Sequence, residues 1–177
     1  TIDCLVNETN LGFVGAINRA LETVPVGDVV LLNSDTIVPP NFVERLAAAA
    51  RSAPGIGTVT PLSNNGDIFS FPTPNDFNPM QGYENILEID RVASIANAGD
   101  VTDVPSGIGF CLYVTRDCLA AIGGLSENFE RGYLEDVDLC LRARVKGVRN
   151  VCAPAVYVGH HGWKSFRHEK RGLVLRN

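Results

Sequence analysis

The chain has 177 residues, 45% of them apolar, and a formal net charge of −5. That length and composition suit one domain with a sizeable core, and the negative balance excludes a general nucleic-acid binder, which needs a basic face to neutralise phosphates. Cysteines at 4, 111, 118, 140 and 152 show no CxxC spacing and read as buried reduced thiols; with no leader sequence or bilayer-length apolar run, a soluble protein of a reducing compartment is expected.

Thr1 to Val6 alternates as a short strand does, and Asn7-Glu8-Thr9-Asn10 is a turn cluster. Leu11-Gly12-Phe13-Val14-Gly15 leads into a helix through Ala16, Ile17, Ala20 and Leu21, the two glycines permitting a tight entry. Asp28 to Asn33 is an apolar run between turn formers, which predicts a strand buried on both faces of a mainly parallel sheet. Open α/β sheets place ligands at the C-terminal ends of such strands, and this one ends in Asn33-Ser34-Asp35.

Pro39-Pro40-Asn41 before Phe42, Val43, Leu46 and Ala47 to Ala50 reads as a capped helix ending near Ala53, and Ile56 to Thr60 as the next strand. From Pro61 to about Gly82 no period survives among Asn, Asp, Pro, Gly and Phe; a loop that long is usually functional or mobile. Tyr83 to Asn97 is predicted helical, with Ile86, Ile89, Val92, Ala93 and Ala96 on one face. Val104 to Val114 enters a strand through Gly107 and Gly109, which let the backbone approach either a ligand or a neighbouring strand.

A helix is predicted from Glu135, with Val137, Leu141, Val145 and Val148 near helical period and Lys146-Gly147 at its end. Its first turn holds Glu135, Asp136 and Asp138, where carboxylates complement the macrodipole. Adjacent helical residues diverge by roughly 100°, so Glu135 and Asp136 cannot both aim at one substrate atom. That weighs against a glycoside hydrolase, whose paired carboxylates flank one bond about 5 to 9.5 Å apart. Asn150 to Tyr157 reads as the last strand, and His160-His161-Gly162-Trp163 as a loop before a basic tail carrying Arg167, Lys170, Arg171 and Arg176.

Taken in this order, Asn33-Ser34-Asp35, Pro105-Ser106-Gly107-Ile108-Gly109, Glu135-Asp136-Val137-Asp138-Leu139-Cys140-Leu141-Arg142 and His160-His161-Gly162-Trp163 closely resemble the inverting family-2 glycosyltransferases with the GT-A nucleotide-sugar fold. The resemblance runs from Asn10 to about Phe166. It implies an α/β fold, a three-layer α/β/α domain with a mostly parallel sheet: residues 1–61 form a donor and metal part, 62–166 an acceptor and catalytic part, and 167–177 a basic tail that meets phosphates, membrane lipid or only solvent. The implied reaction is metal-dependent transfer of a hexosyl or deoxyhexosyl unit, with inversion, from a UDP- or dTDP-sugar to a hydroxyl of a glycan or lipid-linked acceptor. Polysaccharide or cell-wall assembly in the cytoplasm, with peripheral contact at the inner face of the membrane, is the implied setting.

The resemblance also distributes roles. Asp136 is the base that takes the acceptor's proton, while Glu135 and Asp138 orient the acceptor or brace the helix. Ser106, Gly107 and Trp163 border the acceptor; Asn10, Gly12, Asn18, Asn33 and Asp35 lie on the donor side. Asp35, with His160 or His161, is expected to hold Mn²⁺ or Mg²⁺, which neutralises the departing diphosphate. Relatives have an Asp-x-Asp motif where this chain has Asn33, which offers a carbonyl oxygen but no charge. A helix N-terminus also stabilises a carboxylate and so weakens it as a base. Relatives begin with two further strand-and-helix units, so an N-terminally truncated form of the fold is expected. The rivals are a non-catalytic nucleotide-sugar or glycan-binding fragment and a generic α/β metal-dependent hydrolase.

Overall fold

The computed structural model describes residues 3–129 and 134–162. Within them, the helices are α1 (Gly12–Thr23), α2 (Phe42–Arg51), α3 (Tyr83–Ala96), α4 (Arg116–Ile122) and α5 (Glu135–Val145). The strands are β1 (Val29–Leu32), β2 (Thr36–Ile37), β3 (Ile56–Ser63), β4 (Thr102–Asp103), β5 (Cys111–Val114) and β6 (Arg149–His160). They form one sheet in the order β1-β5-β3-β6-β2, with β4 also paired to β6.

Strand alternation divides the core into two layers. On β5, Cys111 and Tyr113 point into a cluster with Leu46, Ala47 and Ala50 of α2, whereas Leu112 and Val114 join Val14 of α1, Cys118 and Leu119 of α4, and Leu139, Cys140 and Ala143 of α5. A strand covered on both faces must be apolar throughout, and all four residues of β5 are buried. Helices thus cover both sides of the sheet, as expected for α/β/α layering.

The expectation of a mostly parallel sheet needs correction at the level of neighbours. Among the described strands only β3 and β6 pair in parallel; β1–β5, β3–β5, β4–β6 and β2–β6 are antiparallel. Because β5 runs between β1 and β3 in the opposite sense to both, β1, β3 and β6 nevertheless share one direction. Their C-terminal ends therefore lie along one edge of the sheet, together with the start of β5.

Other expectations shift for identifiable reasons. Residues 3–6 form no strand. The run at β1 is not buried on both faces: among the described strands it pairs only with β5, and Leu32 is 42% exposed. Asn41 occupies the N-cap position of α2 without a side-chain capping bond; its backbone is left-handed at φ 56°, a conformation asparagine tolerates well. The buried stripe of α3 is Ile86, Asp90 and Ala93, while Val92 faces solvent. Asp90 is admitted to that stripe because Arg45 donates to its carboxylate at 2.7 Å and the Tyr157 N–H at 2.9 Å. Residues 104–110 are irregular, so β5 begins only at Cys111, and β6 extends to His160.

Candidate active site

The site is built where β1, β3 and β6 end. After β1, the Asn33 N–H donates to the Phe110 carbonyl at 2.9 Å, tying the β1 exit to the segment that enters β5. The chain then turns, with the Thr36 hydroxyl donating to the Asn33 carbonyl, and pairs Thr36 with His160 across β2 and β6. This pairing makes His160 the last residue of a strand rather than a loop residue. It also sets Asp35 beside it: His160 Nε2 lies 3.6 Å from Asp35 Oδ1 and 3.4 Å from Asn33 Nδ2. His161 is exposed and donates its backbone N–H to the Asp35 carbonyl at 3.0 Å.

The donor set fits a hard divalent cation in one respect. On the other side of the His160 ring, Nδ1 stands 2.7 Å from the Asn65 carbonyl oxygen. A carbonyl can only accept, so the neutral ring carries its proton on Nδ1 and leaves a lone pair on Nε2, towards Asp35. No group of three or more His, Cys, Asp or Glu able to hold an ion is found among the described residues. One carboxylate with positions left for phosphate oxygens and water is how Mg²⁺ is commonly held; here Asp35 would be that carboxylate and the His160 imidazole a second donor.

The Asp136 end is reached through one dipeptide. The Phe110 ring stacks on the His160 imidazole, with centroids 5.1 Å apart and planes 16° apart. Its neighbour Gly109 donates its N–H to Asp136 Oδ2 at 2.7 Å, and the Val137 N–H donates to Asp136 Oδ1 at 2.8 Å. Burial pushes the Asp136 carboxyl above the ordinary aspartate range against those two hydrogen bonds, which hold it down, and the nearby Asp67 adds to the rise. The tension read from the helix dipole is thus offset by desolvation, which disfavours the carboxylate.

The neighbouring carboxylates are placed differently. Glu135 is buried, and its Oε2 has no hydrogen-bond partner among the described residues. Burial raises its affinity for a proton, the charge of Asp136 adds to this, and its own backbone N–H opposes it. Asp138 accepts from Arg142 Nε at 2.7 Å, and Arg142 also donates to the carbonyls of Ile122 and Gly124. That ion pair ties α5 to the turn after α4.

Several residues expected at the substrate also make contacts within the scaffold. Asn18 bonds both the N–H and the carbonyl of Leu125 through its amide, each at 2.9 Å, pinning α1 to the same turn. Asn10 accepts from the Gly12 N–H, and Gly12 enters α1 with φ 68°. Ser106 donates to the Gly107 carbonyl, and the Gly107 N–H donates to the Cys140 sulfur. A side chain at Gly107 would come within 2.5 Å of Leu112 and Thr60 atoms, so the close approach there is to the protein itself. Trp163 and the tail 167–177 lie outside the described residues. Sequence reasoning passed over Phe110 and the pair Asn64-Asn65; the signal for the latter was a polar Ser63-Asn64-Asn65-Gly66 run leaving a buried strand. A surface cavity of about 470 Å³, bordered by Asp28, Arg51 and Tyr113, opens at the opposite end of β1.

Comparison with known proteins shows what the chain is similar to. The sequence pattern described as "Glycosyltransferase like family 2" matches residues 1–172. The chain is 26% identical over 180 aligned positions to an N-acetylglucosaminyl-diphospho-decaprenol L-rhamnosyltransferase of Mycobacterium tuberculosis, covering 86% of this chain and 56% of that protein. It is 27% identical over 159 residues to an uncharacterized protein of Sinorhizobium fredii, covering 87% of this chain and 17% of that one. The chain thus spans about half of the rhamnosyltransferase and less of the second relative. Among solved structures, GalNAc-T7 with UDP, GalNAc and Mn²⁺ superposes with a TM-score of 0.63 at 15% identity, over 87% of this chain and 31% of that one; at that identity the likeness speaks to the GT-A fold. No helix among the described residues is long and apolar enough to cross a membrane.

Proposed function

The chain belongs to glycosyltransferase-like family 2, and from that premise we propose that it carries the catalytic part of a metal-dependent, inverting glycosyltransferase. The donor is a UDP- or dTDP-sugar and the acceptor a hydroxyl of a glycan or lipid-linked sugar, in polysaccharide or cell-wall assembly. The relative named for a decaprenol-linked substrate and the neighbour crystallised with UDP and Mn²⁺ support those classes.

One observation carries the reading. The dipeptide Gly109-Phe110 holds Asp136 by its amide, stacks on His160 by its ring and accepts from Asn33 by its carbonyl. A candidate base and a candidate metal pair are thereby joined to one short stretch of chain. Asp136, made more basic by burial, accepts the proton of the acceptor hydroxyl as that oxygen bonds to the anomeric carbon from the face opposite the leaving group. The bond from that carbon to the diphosphate oxygen breaks, and the nucleoside diphosphate departs with its electron pair. Asp35 and His160 would hold the divalent ion, whose chemistry is to offset the charge gathering on the diphosphate. Glu135 faces the acceptor side, Asp138 and Arg142 brace the helix, and Ser106 and Gly107 shape the wall behind it. Single-inversion transfer needs one base, so the divergence of Glu135 and Asp136 is no obstacle.

The test is product analysis by NMR with UDP- and dTDP-sugars, Mn²⁺ and a lipid-linked disaccharide acceptor. The reading requires a new glycosidic bond of inverted anomeric configuration, lost in Asp136→Asn. Retained configuration, or sugar released only to water, would contradict it.

A further inference from the structure

The loop between β3 and α3 does more than connect them, and its first two residues reach the metal pair directly. Asn64 is 1% exposed, at the C-terminal end of β3. Its Oδ1 accepts the His160 backbone N–H at 2.8 Å, and its Nδ2 donates to the His160 carbonyl at 3.0 Å and the Asn78 carbonyl at 3.1 Å. Facing one N–H and two carbonyls, the amide has a single orientation that satisfies all three. Asn64 thus treats His160 as a neighbouring strand would, extending the parallel β3–β6 pairing past its last registered pair, Ser63 with Val158.

The adjoining residue fixes the ring. Asn65 presents its carbonyl to Nδ1 at 2.7 Å, and the Phe110 face limits rotation of the imidazole. The loop's far end locks the pair: Asn78 donates from Nδ2 to the carbonyls of Asn64 and Thr73 and from its backbone N–H to Asn64, and its Oδ1 accepts the Thr73 N–H. Opposite the Asn65 carbonyl, Nε2 meets the amide of Asn33 and the carboxylate of Asp35.

We infer that Asn64 is a positioning residue for His160: by clamping its backbone it brings Nδ1–H onto the Asn65 carbonyl, so that the imidazole is held in the Nδ1–H tautomer with the Nε2 lone pair presented to Asp35. Bound metal imidazoles typically have the second nitrogen committed in this way, and loss of such a partner weakens metal binding by about 10- to 100-fold. The consequence for metal binding rests on the proposed donor site, whereas the tautomer does not. The loop is therefore part of the donor site, although it contributes no ligand.

The experiment is long-range ¹H–¹⁵N spectroscopy of the chain labelled with ¹⁵N-histidine, without metal and at a pH where the ring is neutral. His161→Gln and His168→Gln leave His160 as the single histidine signal. The wild-type loop should give a protonated Nδ1 and an unprotonated Nε2. Asn64→Ala should move the ring towards a mixture of tautomers and weaken Mn²⁺-dependent UDP binding about 10- to 100-fold. An Nε2–H tautomer in the unsubstituted loop would overturn the inference without needing any Asn64 variant to fold. A folded Asn64→Ala with unchanged tautomer and affinity would overturn it as well. If the chain shows the Nδ1–H form, lost in Asn64→Ala, yet binds no Mn²⁺ with UDP, the positioning role stands and the metal reading fails.

Discussion

The imidazole of His160 lies nearly parallel to the ring of Phe110, with centroids 5.1 Å apart. The contact matters because Phe110 is one peptide bond from Gly109, whose amide holds Asp136. A disturbance at the ring should therefore be felt at the metal end first. Phe110→Leu keeps an apolar side chain in a fully packed position but shrinks it, which should cost about 1 to 3 kcal/mol, short of the figure typical of Phe→Ala. Urea melts should show a loss of that size, while Mn²⁺-dependent UDP affinity falls about tenfold, as expected when a ligand loses its support.

Asp136→Asn separates catalysis from stability. Transfer rate should fall by about 10² to 10⁴, the usual contribution of a positioned base. Stability should show its own pH dependence. The folded-state carboxyl binds its proton more tightly than the unfolded one, so its ionisation counts against the fold as pH rises through the unfolded value and then the folded one. Below about pH 3.9 the urea midpoint of Asp136→Asn should lie under the parent's, because one amide oxygen cannot accept both the Gly109 and the Val137 N–H, and the variant should gain on the parent as pH rises to 7. By the same shift, the acid limb of the transfer rate should lie above the ordinary aspartate range.

Asp90 tests the polar element buried in α3. It accepts from Arg45 and from the Tyr157 N–H, so Asp90→Ala leaves a half-buried guanidinium and a buried amide without their acceptor. Removing one member of a buried pair costs about 3 to 5 kcal/mol; Arg45 keeps some solvent contact, which puts the expectation near the lower figure. Asp90→Asn, which can still accept from the amide, should cost less. Equal losses in the two variants would show that the amide contact adds nothing.

Gly107→Ala distinguishes packing from substrate contact. The added carbon meets Leu112 and Thr60 at 2.5 Å, an overpacking that typically costs about 1 to 3 kcal/mol. Thermal unfolding should shift accordingly. A change in acceptor KM with unaltered stability would instead show that the glycine makes room for the acceptor.

Much of this arrangement could be read from local pattern. The run ending in Asn33-Ser34-Asp35 became β1 and the turn after it, and the period from Glu135 located α5 but not its inner face: Leu141 and Val145 are exposed, and Leu139, Cys140 and Ala143 are buried instead. Periodicity could not supply what depends on distant partners. Val92 has the right hydropathy for the inner face of α3, yet Asp90 occupies it because Arg45 and Tyr157, 45 and 67 residues away, meet it there. The apolar content of β1 suggested two covered faces, but burial depends on which strands flank it, and β5 alone does so among the described strands. Asn64 and Asn65 looked like loop formers because their partner, His160, lies 96 and 95 residues on. A sequence shows that such groups are polar; the sheet order decides what they hold.

The most direct measurement is calorimetric titration of the chain with UDP and with dTDP, each with and without Mn²⁺, beside Asp35→Ala. At least one nucleotide should bind in a way that requires Mn²⁺ and disappears in Asp35→Ala. Binding that ignores both the ion and the substitution, or no binding by the folded chain, would contradict a metal-dependent donor site at Asp35 and His160.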